Sequence, residues 1–308
     1  MAWSARVFKF TSALVVLGMT TALNGACAGR SAKRPEKAAD GTNAADKHYD
    51  VAVGSFHNGM FEDAKLQIAR ALAADPKHAD SYYLRGVLLL NEGKLLVDAI
   101  ESDQCLEDAA AEQQRVRAGQ LHRQAREAFV AAAENFEDGA AGRGRSYNSL
   151  AVVDLHFHAP ERAIGNARKA LAEKFYADRY SALANLGWGY YGVGDLVSAT
   201  AELRQAVLLN PDFCVGRYRL AQIYLDGGLA AQAVEQAENV ARDPRCPIQD
   251  AHRILGAARM RLGMSAEADI AFASCVEIAP RSCLARQCQR LMGAEPSKDD
   301  TLASSSMP

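Results

Sequence analysis

No charge of one sign dominates this sequence, and that absence removes a class of partner at once. Lys and Arg number 35 against 37 Asp and Glu, a net charge of −2 that leaves no basic footprint for nucleic acid. Cys-x-x-Cys does not occur, so neither a zinc knuckle nor a thioredoxin-like redox site is supported. No Ser-His-Asp set or paired carboxylates stand in a defined pocket pattern, so no enzyme, cofactor or small-molecule substrate is expected. The apolar run Phe10 to Leu23 is too short to span a bilayer. His156 and His158 lie two apart and would point to different sides of a helix, which suits surface histidines better than a metal pair.

What is present is a repeat. In Tyr180 to Phe213, Leu186, Gly187, Tyr190, Gly194, Ala199, Leu203, Ala206 and Pro211 have the spacing that two short antiparallel helices need in order to pack. Gly187 and Ala199 would face each other at the crossing, where only a small side chain lets the axes approach. Gly194 permits the turn, and Pro211 ends the second helix. The pattern recurs in Ala45 to His78 through Ala52, Gly59, Ala64, Ile68, Ala71 and Pro76, and in Gly144 to Ala177 through Tyr147, Leu150, Ala151, Ala163, Ala167 and Ala170. Cys214 to Pro247 repeats it with Leu220, Ala221, Tyr224, Gly228, Ala233 and Val240. Gln249 to Ser282 does so with Leu255, Gly256, Gly263, Ala268, Phe272, Cys275 and Pro280. These windows resemble the tetratricopeptide (TPR) repeat, which implies an all-α TPR solenoid. The same reading places Gly187-Trp188-Gly189-Tyr190-Tyr191-Gly192 inside a helix, where its G-x-G-x-x-G spelling has no nucleotide-binding context.

The second repeat departs from the template. Tyr82, Gly86, Leu89 and Gly93 mark its first helix, but Asp98 stands where Ala is expected, and small and aromatic residues resume only at Ala125, Phe129 and Ala132. The inserted stretch Leu95 to Leu121 has no Pro and reads as helical, either lengthening the second helix or folding back on it. Cys283 to Met292 can form a short capping helix with Leu284, Cys288 and Leu291 on one face.

The predicted organisation is a signal peptide over 1–26, a tether over 27–44, six repeats with their cap over 45–292, and an unstructured tail over 293–308. Arg6 and Lys9 form the positive head of the signal. Gly25 and Ala26 before Cys27 read as a lipobox in which Cys27 is lipidated, although Asn24 occupies the usual Leu position; ordinary cleavage after Ala28 is the competing reading. With lipidation, Ala28 after Cys27 implies the outer membrane under the usual Gram-negative sorting rule.

Six other cysteines remain, and an exported chain can keep disulfides. Cys214 and Cys246 occupy the same edge of neighbouring repeats and are expected to pair. Cys275 faces the cap, which favours Cys288 with Cys283 as competitor; Cys105 is left unassigned. The positions that line the concave face of such solenoids give Tyr49, Val53, Phe56, Tyr83, Val87, Leu90, Val152, Leu155, Trp188, Tyr191, Tyr218, Leu225 and Met260. A Tyr-rich apolar groove of this extent is expected to bind protein. The Lys/Asn/Arg clamp that holds a C-terminal carboxylate in some TPR proteins is absent.

Taken together, and most tellingly in RYSALANLGWGYYGVGDL, NPDFCVGRYRLAQIYL and APRSCLARQCQRL, the chain resembles the type IV pilus biogenesis TPR lipoproteins of the PilF, PilW and Tgl kind. The resemblance implies a pilotin: an outer-membrane lipoprotein on the periplasmic side, attached through its N-terminal lipid anchor, that helps secretin subunits assemble into the pilus pore.

Overall fold

The computed structural model describes residues 41–292, with side chains from residue 44. The expected signal peptide, Cys27, most of the tether and the tail lie outside the described residues. Six helical hairpins follow one another: α1(Gly41–His57) with α2(Phe61–Ala74), α3(Ala79–Glu101) with α4(Ala109–Asn135), and α5(Ala141–His156) with α6(Pro160–Ala172). They continue as α7(Arg179–Gly192) with α8(Leu196–Leu209), α9(Cys214–Asp226) with α10(Ala230–Arg242), and α11(Gln249–Arg261) with α12(Ser265–Ile278), and α13(Cys283–Leu291) closes the array. The first helix begins at Gly41, so it takes in the last four residues assigned to the tether.

The template residues do what their sizes dictate. A Cβ on Gly187 would stand 2.9 Å from Leu203 Cγ and 3.0 Å from the Ala199 carbonyl, and one on Gly86 or Gly256 would stand 2.6 or 2.4 Å from the ring of Phe129 or Phe272. Gly59, Gly194, Gly228 and Gly263 turn the chain between paired helices at φ 74–84°, a conformation that glycine enters without a Cβ penalty. His158 takes the same place in the third repeat at φ 50°. Four of the six second helices, α2, α8, α10 and α12, end where the residue before a proline must be extended: Asp75, Asn210, Asp243 and Ala279 all have ψ of 81–111° ahead of Pro76, Pro211, Pro244 and Pro280.

Each hairpin shares a buried cluster with the next first helix. Ala52, Ala64 and Ile68 pack with Leu84 and Leu88; Phe129 and Ala132 with Leu150 and Val153; Ala163 and Ala167 with Leu186. Leu203 and Ala206 meet Leu220 and Ile223, Ala233 and Ala237 meet Ile254 and Leu255, and Phe272 meets Cys288 of α13. The core is therefore one continuous strip, as a stack of mutually dependent units requires.

The second repeat differs from the expectation. Its insertion is divided between both helices: α3 has 23 residues and α4 has 27, where the other paired helices have 13 to 17. Gly93 stays inside α3 because His122 and Ala118 of α4 pack against it, and a Cβ there would lie 2.5 Å from His122 Nε2.

Candidate protein-binding inner face

First helices pack on one another along the array, α5 on α7, α7 on α9, α9 on α11, while no two second helices share a comparable face among the described residues. A layer whose members touch is the shorter arc of a curved stack, so the first helices form the inner face.

Across α5, α7 and α9 a polar ladder runs along this layer. Asn148 Nδ2 donates to Ser181 Oγ (3.1 Å), Asn185 Nδ2 donates to Asn148 Oδ1 (2.8 Å), and Arg219 Nη1 donates to Asn185 Oδ1 (2.8 Å) and to the Ala184 carbonyl (3.2 Å). The Arg219 guanidinium lies 5.3 Å from the centre of the Trp188 ring, and burial lowers its pKa to about 10, leaving it cationic at neutral pH. Trp188 and Tyr191, three apart on α7, stack at 4.6 Å.

The aromatic hydroxyls are tied to the next repeat. Tyr191 donates to Asp226 (2.5 Å), which also accepts from Gln222 (2.7 Å), and Tyr218 donates to Asp250 (2.7 Å), to which Arg253 is paired. Burial first, and the Asp226 carboxylate second, push the Tyr191 hydroxyl up to about 12; burial and Asp250 push Tyr218 higher still. Both rings therefore present a neutral phenol rim, with the hydroxyl engaged and the ring half-buried.

Two of the expected lining residues are not on this surface. Tyr83 is 9% exposed, packed on Phe129 beneath Arg145, and Leu225 is 3% exposed in the core with Ile254 and Ala258. The inference from position alone failed because in those repeats the neighbouring first helix covers the site. Tyr49, Val53, Phe56, Val87, Leu90, Val152, Leu155 and Met260 are half-buried beside Trp188, Tyr191 and Tyr218 in the same layer. Tyr49 faces His78, and burial, with Asp80 next, pushes its hydroxyl up to about 12. The groove is thus aromatic and polar together, less apolar than residue type alone suggests.

Sequence reasoning passed over Asn148, Asn185, Arg219, Asp226 and Asp250. All five lie on first helices, and reading the lining positions for polar residues as well as apolar ones would have found Asn148, Asp226 and Asp250; Asn185 and Arg219 stand one place further along their helices than a position that was read. The glycines of the G-x-G-x-x-G spelling are contact residues: Gly187 faces α8, while a Cβ on Gly189 or Gly192 would stand 2.8 Å from Ile164 or Pro160 of α6. His156 and His158 are exposed, and the His156 ring meets the buried His122 edge-on at 4.0 Å.

Among the described residues three disulfides are present: Cys214–Cys246, Cys275–Cys288 and Cys105–Cys283. The first two are the pairings favoured from sequence. The third joins the two cysteines left without partners.

The sequence matches no protein-family model and no curated protein. Solved structures do match. PilW, described as a widely conserved type IV pilus biogenesis factor, aligns with a TM-score of 0.61 at 18% identity over 80% of this chain and 98% of its own. Pseudomonas aeruginosa pilF aligns with a TM-score of 0.56 at 15% identity over 81% and 98%. The Cut9–Hcn1 structure aligns with a TM-score of 0.60 at 14% identity, over 80% of this chain but only 42% of its own. At these identities the likeness concerns the fold: the chain is a TPR α-solenoid of six helical hairpins with a C-terminal capping helix.

Proposed function

We propose that the chain is a lipoprotein of type IV pilus biogenesis, anchored through Cys27 on the periplasmic face of the outer membrane. In this reading it binds secretin subunits on its inner face and promotes their assembly into the pilus pore. The observation that carries the reading is extent. PilW and pilF are each covered over 98% of their length, whereas Cut9–Hcn1 is covered over 42%, as a stretch of a longer repeat array would be. The small-residue pair before Cys27 and the ring-lined inner face agree with it.

Deleting the gene and following secretin on denaturing gels tests the proposal. Multimers should vanish while monomers persist, and piliation should be lost. A Cys27→Ala chain should restore little of either. Intact multimers in the deletion strain, with altered cell shape or septation, would instead identify a periplasmic adaptor for cell-wall enzymes.

A further inference from the structure

Two of the three disulfides join units that already pack together. Cys214 opens α9 and Cys246 follows α10, and Cys275 of α12 meets Cys288 of α13. Cys105 and Cys283 are different. They lie 178 residues apart, one in the loop between α3 and α4 and the other at the first turn of α13, and neither α3 nor α4 shares an extended packed face with α12 or α13.

Both attachment points are held by hydrogen bonds. In the loop, the Leu106 amide donates to the Ile100 carbonyl (2.7 Å) and Arg115 Nη2 donates to the Leu106 carbonyl (2.8 Å). Cys105 is only 5% exposed although Asp103, Gln104, Glu107 and Asp108 around it are exposed. On the other side, Ser282 caps α13 by accepting from the Ala285 amide (2.9 Å), and Gln249 Nε2 of α11 donates to Ser282 Oγ (2.9 Å) and to the Cys275 carbonyl (2.7 Å). The Cys275–Cys288 bridge fastens the same helix a second time.

The hairpin has the reach this link needs. Where other repeats turn, α3 runs on from Gly93 to Glu101, about 12 Å at the rise of an α-helix. Two points four repeats apart on a curved stack are joined by the short route only across its open side, since a path around the outer face is longer than the arc itself.

We propose that the lengthened α3–α4 hairpin and the Cys105–Cys283 bridge form a clasp that spans the open side of the solenoid and fixes the curvature of its inner face. Repeat arrays change curvature by small rotations at each joint, and those rotations add along the stack. A covalent tie from the second repeat to the cap blocks their sum. Trp188, Tyr191 and Tyr218, which lie between the tied points, are then held at one spacing whether or not a partner is present. This explains the insertion and the otherwise distant pair of cysteines together, and it does not depend on which protein the groove binds.

Peptide mapping of the exported protein without reduction, after alkylation, should recover the Cys105 and Cys283 peptides as one linked species. Small-angle scattering should then show a larger radius of gyration and maximum dimension for a Cys105→Ser, Cys283→Ser chain that retains the other two bridges. Amide exchange should quicken in the α3–α4 tip and in α13. If that chain does not fold, a chain with four Gly-Ser residues inserted after Cys105 and the bridge intact loosens the same tie, and its dimensions should also increase. Free thiols at Cys105 and Cys283 in the exported protein would overturn the proposal, as would scattering from the loosened chain identical to wild type.

Discussion

In the fourth repeat the chain leaves α7 through Gly194, at φ 84°, and enters α8 at Leu196; at the matching place in the second repeat Gly93 stays helical and α3 continues to Glu101. Below that point the two hairpins are alike, with Gly187 against Leu203 in one and Gly86 against Phe129 in the other. Above it the second repeat builds another close approach, Gly93 against His122 and the Ala118 carbonyl, flanked by the Arg117–Glu92 and Arg115–Glu101 ion pairs at 3.5 and 3.6 Å. One glycine ends a helix and its counterpart lets two helices continue side by side. What decides is the residue opposite: Gly194 has open space around its missing Cβ, and Gly93 has an imidazole.

The largest expected effect tests whether the lower joint is shared. Phe129 and Leu203 are both fully buried, so Phe129→Ala and Leu203→Ala should each destabilise by about 3–5 kcal/mol through lost burial and a residual cavity. Urea or thermal unfolding measures it. A loss below about 1 kcal/mol in one of them would mean that the two joints are not equivalent.

Next comes the upper joint, which carries a proton-sensitive group that the fourth repeat lacks. His122 is 2% exposed with neither ring nitrogen hydrogen-bonded to another side chain, and burial, then the neighbouring His156, lower its pKa to about 4. Burial, then His158, lowers His156 in turn, while Glu101 opposes that shift. A depressed folded-state value means that the unfolded chain binds more protons between about pH 6.5 and 4. Stability should therefore be full above pH 6.5, fall as the pH drops towards 4, and level off below; the loss from this group is about 3 kcal/mol. His122→Leu should flatten this slope, and an unchanged slope in that variant would assign it to other groups.

A smaller effect separates the two glycines directly. Gly93→Ala places a methyl group against the His122 ring and should cost about 1–3 kcal/mol, partly offset by helix propensity. Gly194→Ala meets no atom and bears only the left-handed backbone penalty, about 1 kcal/mol. In a His122→Ala background the Gly93→Ala loss should shrink to what the Ala118 carbonyl contact imposes while the Gly194→Ala loss remains, which unfolding of each glycine variant beside its parent in the two backgrounds would show.

Much of this was legible in the residues. Gly187 with Ala199, Gly256 with Phe272 and the prolines after α2, α8, α10 and α12 announce the joints and the ends, because size and the missing N–H act locally. Gly93 was read as part of the first helix and lies inside α3, but its contact role was not legible, because a turn glycine and a contact glycine are the same letter and only the residue brought opposite by the insertion distinguishes them. The Cys105–Cys283 pair was hidden for a related reason: its partners meet through the summed curvature of four repeats, which no local spacing encodes. On the inner face the positions were legible and the environment was not. Tyr191 and Tyr218 are where the template puts them, but that Asp226 and Asp250 hold their hydroxyls, and that Tyr83 and Leu225 are covered, depends on how closely adjacent first helices lie.

The central claim is that the face carrying Trp188 and Tyr191 binds a secretin subunit, and a titration of purified chain with purified subunit tests it most directly. Truncated aromatic anchors commonly lose about 2 kcal/mol or more of binding, so the Trp188→Ala, Tyr191→Ala chain should bind more than about tenfold more weakly with its helical circular dichroism unchanged. Wild-type affinity in that correctly folded double variant would contradict the account.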